Sequence, residues 1–141
     1  MWRRGGDYPA AMATWDDVRH VALGLPDSSE GTSHDGVLAW RVRDKLFVWE
    51  RPLRKVDIEA LAEDVPDGPI VATVVPDVSV KEALCAAEPE VFFTTPHFDG
   101  YPAILILLER IGPSELEEMI IEAWLEKAPK TLAQSYLAAL G

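Results

Sequence analysis

The sequence predicts an α+β fold, an antiparallel sheet with helices packed mainly on one face. Three observations lead there. Helical periodicity marks both ends of the chain, short β-branched and aromatic runs bounded by turn residues fill the middle, and 141 residues with 48% hydrophobic character suit one core. The expected organisation is a loose N-terminal arm over residues 1–13, with Gly5, Gly6 and Pro9, followed by a single domain over 14–141.

Order should begin at TWDDVRHVALGLP. Thr14 and Asp17 form a capping box, Trp15, Val18, Ala22 and Leu25 recur at helical spacing, and Gly24 with Pro26 ends the helix. His20 is expected to be a partly covered structural residue. The polar stretch DSSEGTSHDG reads as a loop. VLAWRVRDKLFVWERP then reads as a hairpin around Arg43-Asp44. A two-residue turn would place Leu38, Trp40, Phe47 and Trp49 on one face and Ala39, Arg41, Leu46 and Val48 on the other. Arg-Asp is a poor choice for such a turn, so a longer loop with another register stays open.

VDIEALAED suggests a short helix begun by Asp57, and PIVATVV a third strand between turn residues. Ser79 and Glu82 suggest a capped helix through Ala87, stopped by Pro89. YPAILILL lacks alternation, as a central or doubly covered strand does. Ser114 and Glu117 suggest another capping box, ahead of a stripe of Leu116, Met119, Ile120, Ala123 and Trp124. Pro129 breaks that helix and begins the last, along which Leu132, Tyr136, Leu137 and Leu140 line up.

Charge narrows the function classes. A formal net charge of -11 repels nucleic acid and anionic membranes over the molecule as a whole, so such contacts would have to be local. The basic residues are uneven. Arg41, Arg43, Lys45, Arg51, Arg54 and Lys55 are six of the thirteen, whereas from Val56 onward four Lys/Arg face sixteen Asp/Glu. This island, beside Trp40, Phe47 and Trp49, is a candidate contact with a nucleic-acid backbone. The favoured reading is solvated edge charge that deters strand-to-strand aggregation, with the aromatics in the core.

SHDG, with His34 and Asp35, and PHFDG, with His97 and Asp99, look alike. Their spacing matches no recognised metal motif, and Asp-Gly is a common turn pair, so turn formation is the default and no metal is expected. The loops around His34 and His97–Tyr101 are instead pocket candidates, through His34, His97, Asp99 and Tyr101, at the entrance to the apolar strand. Cys85, the one cysteine, lies between Leu84 and Ala86 and reads as an inert packed thiol in a reducing cytoplasm. No nucleophile elbow or phosphate loop is present, and no catalytic residue or cofactor is expected. Nothing resembles a signal peptide or a membrane span.

At KLFVW, RPLRK, PDVSVKEALCAAEPEVFFTTPHFDGYPAILILLERI and EAWLEKAPKTLAQSYL, the sequence resembles the MmcQ/YjbR family from about Trp15 to Leu140. The resemblance implies a two-layer CyaY-like fold and a function commonly labelled DNA-binding, here through the basic hairpin. It implies no catalytic residues. Two features depart from many members: Gly100-Tyr101-Pro102 stands where Gly-Trp is common, and ERPLRKVDIEALAEDVPDGP is longer. The alternative expectation is a small-molecule or protein-partner binding module.

Overall fold

Thr14 opens the first helix through both halves of its capping box: its N–H donates to Asp17 Oδ2 at 2.8 Å and its Oγ1 accepts from Asp17 N. The computed structural model describes residues 12–33 and 35–141, so the expected arm falls mostly outside the described residues. Ala13, the last residue of that arm, is buried, and its N–H donates to Ile111 O at 3.1 Å.

The chain runs α1 (Trp15–Leu23), β1 (Ser28–Thr32), β2 (Leu38–Val42), β3 (Lys45–Glu50), α2 (Lys55–Leu61), β4 (Ile70–Val74), α3 (Val78–Ala87), β5 (Phe92–Phe93), β6 (Ala103–Leu107), α4 (Pro113–Lys127) and α5 (Lys130–Leu140). Among the described residues the strands form one open antiparallel sheet in the order β1-β2-β3-β4-β6-β5. Helices α1 and α4 pack on each other; α1 lies against β1, and α4 against β3 and β4. The fold is α+β, as the element order predicts.

Two strands are additions to that order. β1 lies within the stretch expected to be a loop and is exposed along most of its length. A polar edge strand is held mainly by its backbone bonds and leaves no alternating pattern to read. β5 is two residues long. Helix starts also differ. α3 is capped by Asp77, which accepts from Val80 N at 3.0 Å, not by Ser79. α4 begins at Pro113 with no side-chain cap bond, its N-cap being Gly112, which has no side chain; proline at N1 leaves one fewer orphan donor. α2 begins at Lys55, two residues before Asp57.

The hairpin between β2 and β3 uses the two-residue turn. Arg43 and Asp44 both take left-handed backbone (φ 45° and 72°), the geometry that matches strand twist. The register then shifts: Arg41 pairs with Leu46 but Trp40 pairs with Val48, leaving Phe47 as the extra residue of a β-bulge. Val48 therefore shares a face with Trp40, and Trp49 shares the other with Ala39 and Arg41, the reverse of the regular expectation.

Trp40 and Trp124 anchor the core, both fully buried. Trp40 stacks on Trp15 of α1 (centroids 6.4 Å apart) and donates its Nε1–H to Glu30 at 3.1 Å. Trp124 Nε1–H donates to Pro26 O at 3.1 Å, tying α4 to the end of α1. Leu116, Ile120 and Ala123 complete the buried stripe of α4, each large aliphatic side chain contributing about 2 kcal/mol through burial. On α5, only Leu132 and Tyr136 of the expected stripe pack inward; Leu137 and Leu140 are exposed. His20 is also exposed, since α1 turns that face outward.

The left-handed turn offers a direct check. Asp44→Gly removes the steric cost of that conformation and retains the Arg43–Asp27 ion pair (2.6 Å), so it should stabilise the fold by about 0.5–1 kcal/mol in urea unfolding. An unchanged midpoint would show that Asp44 bears no such cost.

Candidate functional site

A cleft of about 560 Å³ opens on the sheet face that bears Arg41 and Trp49. Its floor comes from β2 and β3 through Arg41, Leu46 and Trp49. One wall is the segment after β3, Arg51 to Arg54; another is the turn at Ser33, Asp35 and Val37; the third is the loop bearing His97, Phe98 and Tyr101. The β-bulge matters here because it turns Trp49 toward this face.

The walls are held by two buried cations. The chain leaves β3 with Arg51 N–H donating to Ile70 O at 3.0 Å, which extends the sheet and turns the Arg51 side chain inward. Its guanidinium lies 5.2 Å from the centroid of the buried Phe98 ring, a cation–π contact, and Nη1 donates to Pro52 O at 2.6 Å. Nη2 lies 3.0 Å from Asp57 Oδ2, in ion-pair contact but without the alignment of a hydrogen bond. Asp57 is 2% exposed and also accepts the Arg54 N–H at 2.9 Å. Burial pushes its carboxyl up, but the Arg54 N–H and the Arg51 charge outweigh that, and it sits below its ordinary 3.8.

The second cation is Lys81 of α3, 4% exposed. Its Nζ donates to Phe98 O at 2.5 Å and to Tyr101 O at 3.0 Å, bracketing the 96–101 loop. Burial lowers its pKa below 10.5, opposed by the charges of Asp99, Cys85 and Glu82. Gly100, at φ 75°, supplies the left-handed residue that lets both carbonyls turn toward one ammonium. The sequence reading missed Lys81. Its signal was present, since Lys81 shares a helical face with Leu84 and Cys85.

The six residues of the basic island do not form one surface. Arg41, Arg51 and Arg54 line the cleft, whereas Arg43 and Lys45 sit at the far hairpin tip beside Glu126 and Lys127. Lys55 is exposed at the start of α2. Burial in the Asp57 pair removes Arg51 from any phosphate surface. Arg54 is bound to Asp35 at 2.8 Å and Arg43 to Asp27.

Of the pocket candidates, His97 and Tyr101 line the cleft, and Asp99 is exposed outside it, its charge acting on Lys81. His34 lies outside the described residues, but Ser33 and Asp35 on either side of it line the same cleft as His97 and Tyr101. Ser33, Asp35 and His97 share this cleft without a triad. Ser33 Oγ accepts the Asp35 N–H at 3.2 Å, the Asp35 carboxylate is held by Arg54, and the His97 ring lies edge-on to Phe98 at 4.9 Å. Among the described residues no hydrogen bond joins Ser33 to His97, and no group of three or more His, Cys, Asp or Glu is placed to hold a metal. Cys85 is half-buried, and burial pushes its thiol up. Among the described residues no helix is long and apolar enough to cross a membrane.

Both buried cations can be tested by stability. Asp57→Asn leaves Arg51 buried without a counter-charge and should cost about 3 kcal/mol at neutral pH. Because the Asp57 pKa is depressed, its contribution is present above 3.8 and is lost as pH falls through the folded value. The gap between parent and variant in chemical denaturation should therefore close in acid; a gap constant with pH would remove the ion pair as its source. Lys81→Met leaves the Phe98 and Tyr101 carbonyls with only their backbone donors, Tyr101 N and Ala103 N. It should cost about 1–2 kcal/mol and speed hydrogen exchange of those two amides. Unchanged exchange would show that the loop stands without the clamp.

Comparison with known proteins agrees with this architecture. The YjbR family model matches residues 23–126. Uncharacterized proteins of Mycobacterium tuberculosis and Mycobacterium bovis are each 55% identical over 133 residues, covering 92% of this chain and all of theirs. A crystal structure of a Deinococcus radiodurans protein carrying the domain DUF419 matches with a TM-score of 0.60 at 20% identity, over 82% of this chain and 78% of that one, and shares the fold. The match of the family model to most of the sequence, on a fold shared with that domain, places this chain in the YjbR family.

Proposed function

We propose that this chain is a small-molecule-binding module whose ligand occupies the cleft between the β2–β3 face and the 96–101 loop. One observation supports this most directly. Aromatic side chains from separate segments, Trp49, Phe98 and Tyr101, converge with guanidinium groups on one concavity of about 560 Å³. Small-molecule sites have this anatomy, apolar walls with a few oriented polar groups in roughly 300–1,000 Å³. The walls are tied by buried charge, so the site is pre-formed, and preorganisation lowers the cost of binding.

The geometry favours this reading over a duplex DNA contact. The cations on which a DNA surface would depend are split between the cleft and the hairpin tip, and Asp27, Asp35 and Asp57 each neutralise one of them. A phosphate backbone approaching the rest of the surface meets a molecule of net charge -11. Catalysis has less support than binding, because among the described residues no base is bonded to the cleft hydroxyl of Ser33.

A fragment screen followed by two-dimensional NMR on 15N-labelled protein tests the reading. Bound fragments should shift the Trp49 indole together with the Tyr101 and His97 amides. Tyr101→Ala, at an exposed position, should weaken them roughly fivefold with an unchanged melting temperature. Hits that cluster elsewhere would overturn the assignment. So would tight, salt-dependent binding of a mixed-sequence duplex that Arg43→Glu with Lys45→Glu abolishes.

A further inference from the structure

Resting on that reading of the cleft, we infer that its ligand is a small planar carboxylate whose anionic group is bound by Arg41. The three cleft guanidiniums are not equivalent. Arg51 is committed to Asp57 and Phe98, and Arg54 to Asp35. Arg41 forms no ion pair or hydrogen bond with any of the described residues, although it projects from mid-strand β2 and is half-buried.

A half-buried cation without a counter-charge loses hydration and regains little. A bound carboxylate restores it, and the fork of N–H donors matches that group in two parallel hydrogen bonds. Space for this is provided beside it. A Cβ added at Gly31 on the neighbouring strand would stand 3.9 Å from Arg41 Nη1, an ordinary van der Waals distance, so the edge strand does not crowd the guanidinium.

The remaining lining selects within anions. Leu46 and Trp49 continue the floor from Arg41, and Phe98 and Tyr101 face it from the loop, which suits a flat apolar body. Asp35 and Glu50 line the same cleft. The first is neutralised by Arg54, and Glu50 accepts the Leu38 N–H at 3.2 Å, a bond that leaves its charge in place. Arg41 presents one fork of N–H donors that the two oxygens of a carboxylate fill completely, whereas the further oxygens of a phosphate would face a lining that includes the acceptor Glu50.

Three probes of similar shape separate the alternatives: indole-3-carboxylate, indole-3-carboxamide and phenyl phosphate, each titrated into the full chain and followed through the Trp49 indole resonance. The carboxylate should bind at least roughly tenfold more tightly than the amide and more tightly than the phosphate. Arg41→Gln should remove that preference, and Arg41→Lys should restore only part of it, since an ammonium keeps the charge but lacks the fork. Equal binding of amide and carboxylate, or an unaltered preference in Arg41→Gln, overturns the inference and leaves the cleft as a binding site. Tighter binding of phenyl phosphate overturns the choice of carboxylate. If none of the three moves the Trp49 resonance, the inference fails together with the reading of the cleft.

Discussion

The buried pair of Arg51 and Asp57 is the constraint on which the rest of the cleft depends. A guanidinium and a carboxylate, each almost wholly removed from water, are tolerated only where geometry and further polar contacts offset desolvation. Those contacts come from three places: the end of β3 through Pro52 O, the first turn of α2 through Arg54 N, and the loop after β5 through the Phe98 ring. Irregular segments far apart in sequence thereby acquire one relative position. The antiparallel sheet supplies only the floor.

Lys81 acts on the same loop from α3. Its ammonium satisfies two carbonyls of a chain that has no strand partner over those residues, so a helix otherwise packed through apolar side chains becomes a bracket for the cleft wall. Of the six residues of the basic island Arg51 alone is buried, and with Lys81 of α3 it is a cation spent on the fold. Part of the positive charge is structural, and only the remainder, Arg41 above all, is left to meet something else.

The elements longest and most periodic in sequence were legible: the capped α1, the stripe of α4, the apolar β6 and the hairpin. Their signals are local, arising within one helical turn or one strand. The edge strand β1 was not legible, because SSEGT has no buried face and its strand character lies in backbone bonds to β2. Nor was the side of the sheet to which Trp49 turns. Phe47 could have continued the pairing or bulged out of it, and an extra residue reverses every position beyond it. The loops bearing His97 and Tyr101 stood out as pocket residues by composition, while Arg51 looked the same as its exposed neighbours because burial is not written in a residue's identity.

By itself the sequence determined the α+β class, the placement of the main helices and strands, the acidic balance and the resemblance to the YjbR family, all of which follow from periodicity, composition and local motif. Only the tertiary structure decided which cations are spent on the fold and which face the cleft. That distinction rests on contacts between residues separated along the chain: Lys81 with Phe98 and Tyr101, Arg54 with Asp35, and Arg51 with Phe98. Charge in a sequence is a count, and its meaning is set by distance and dielectric, which exist only once the chain has folded.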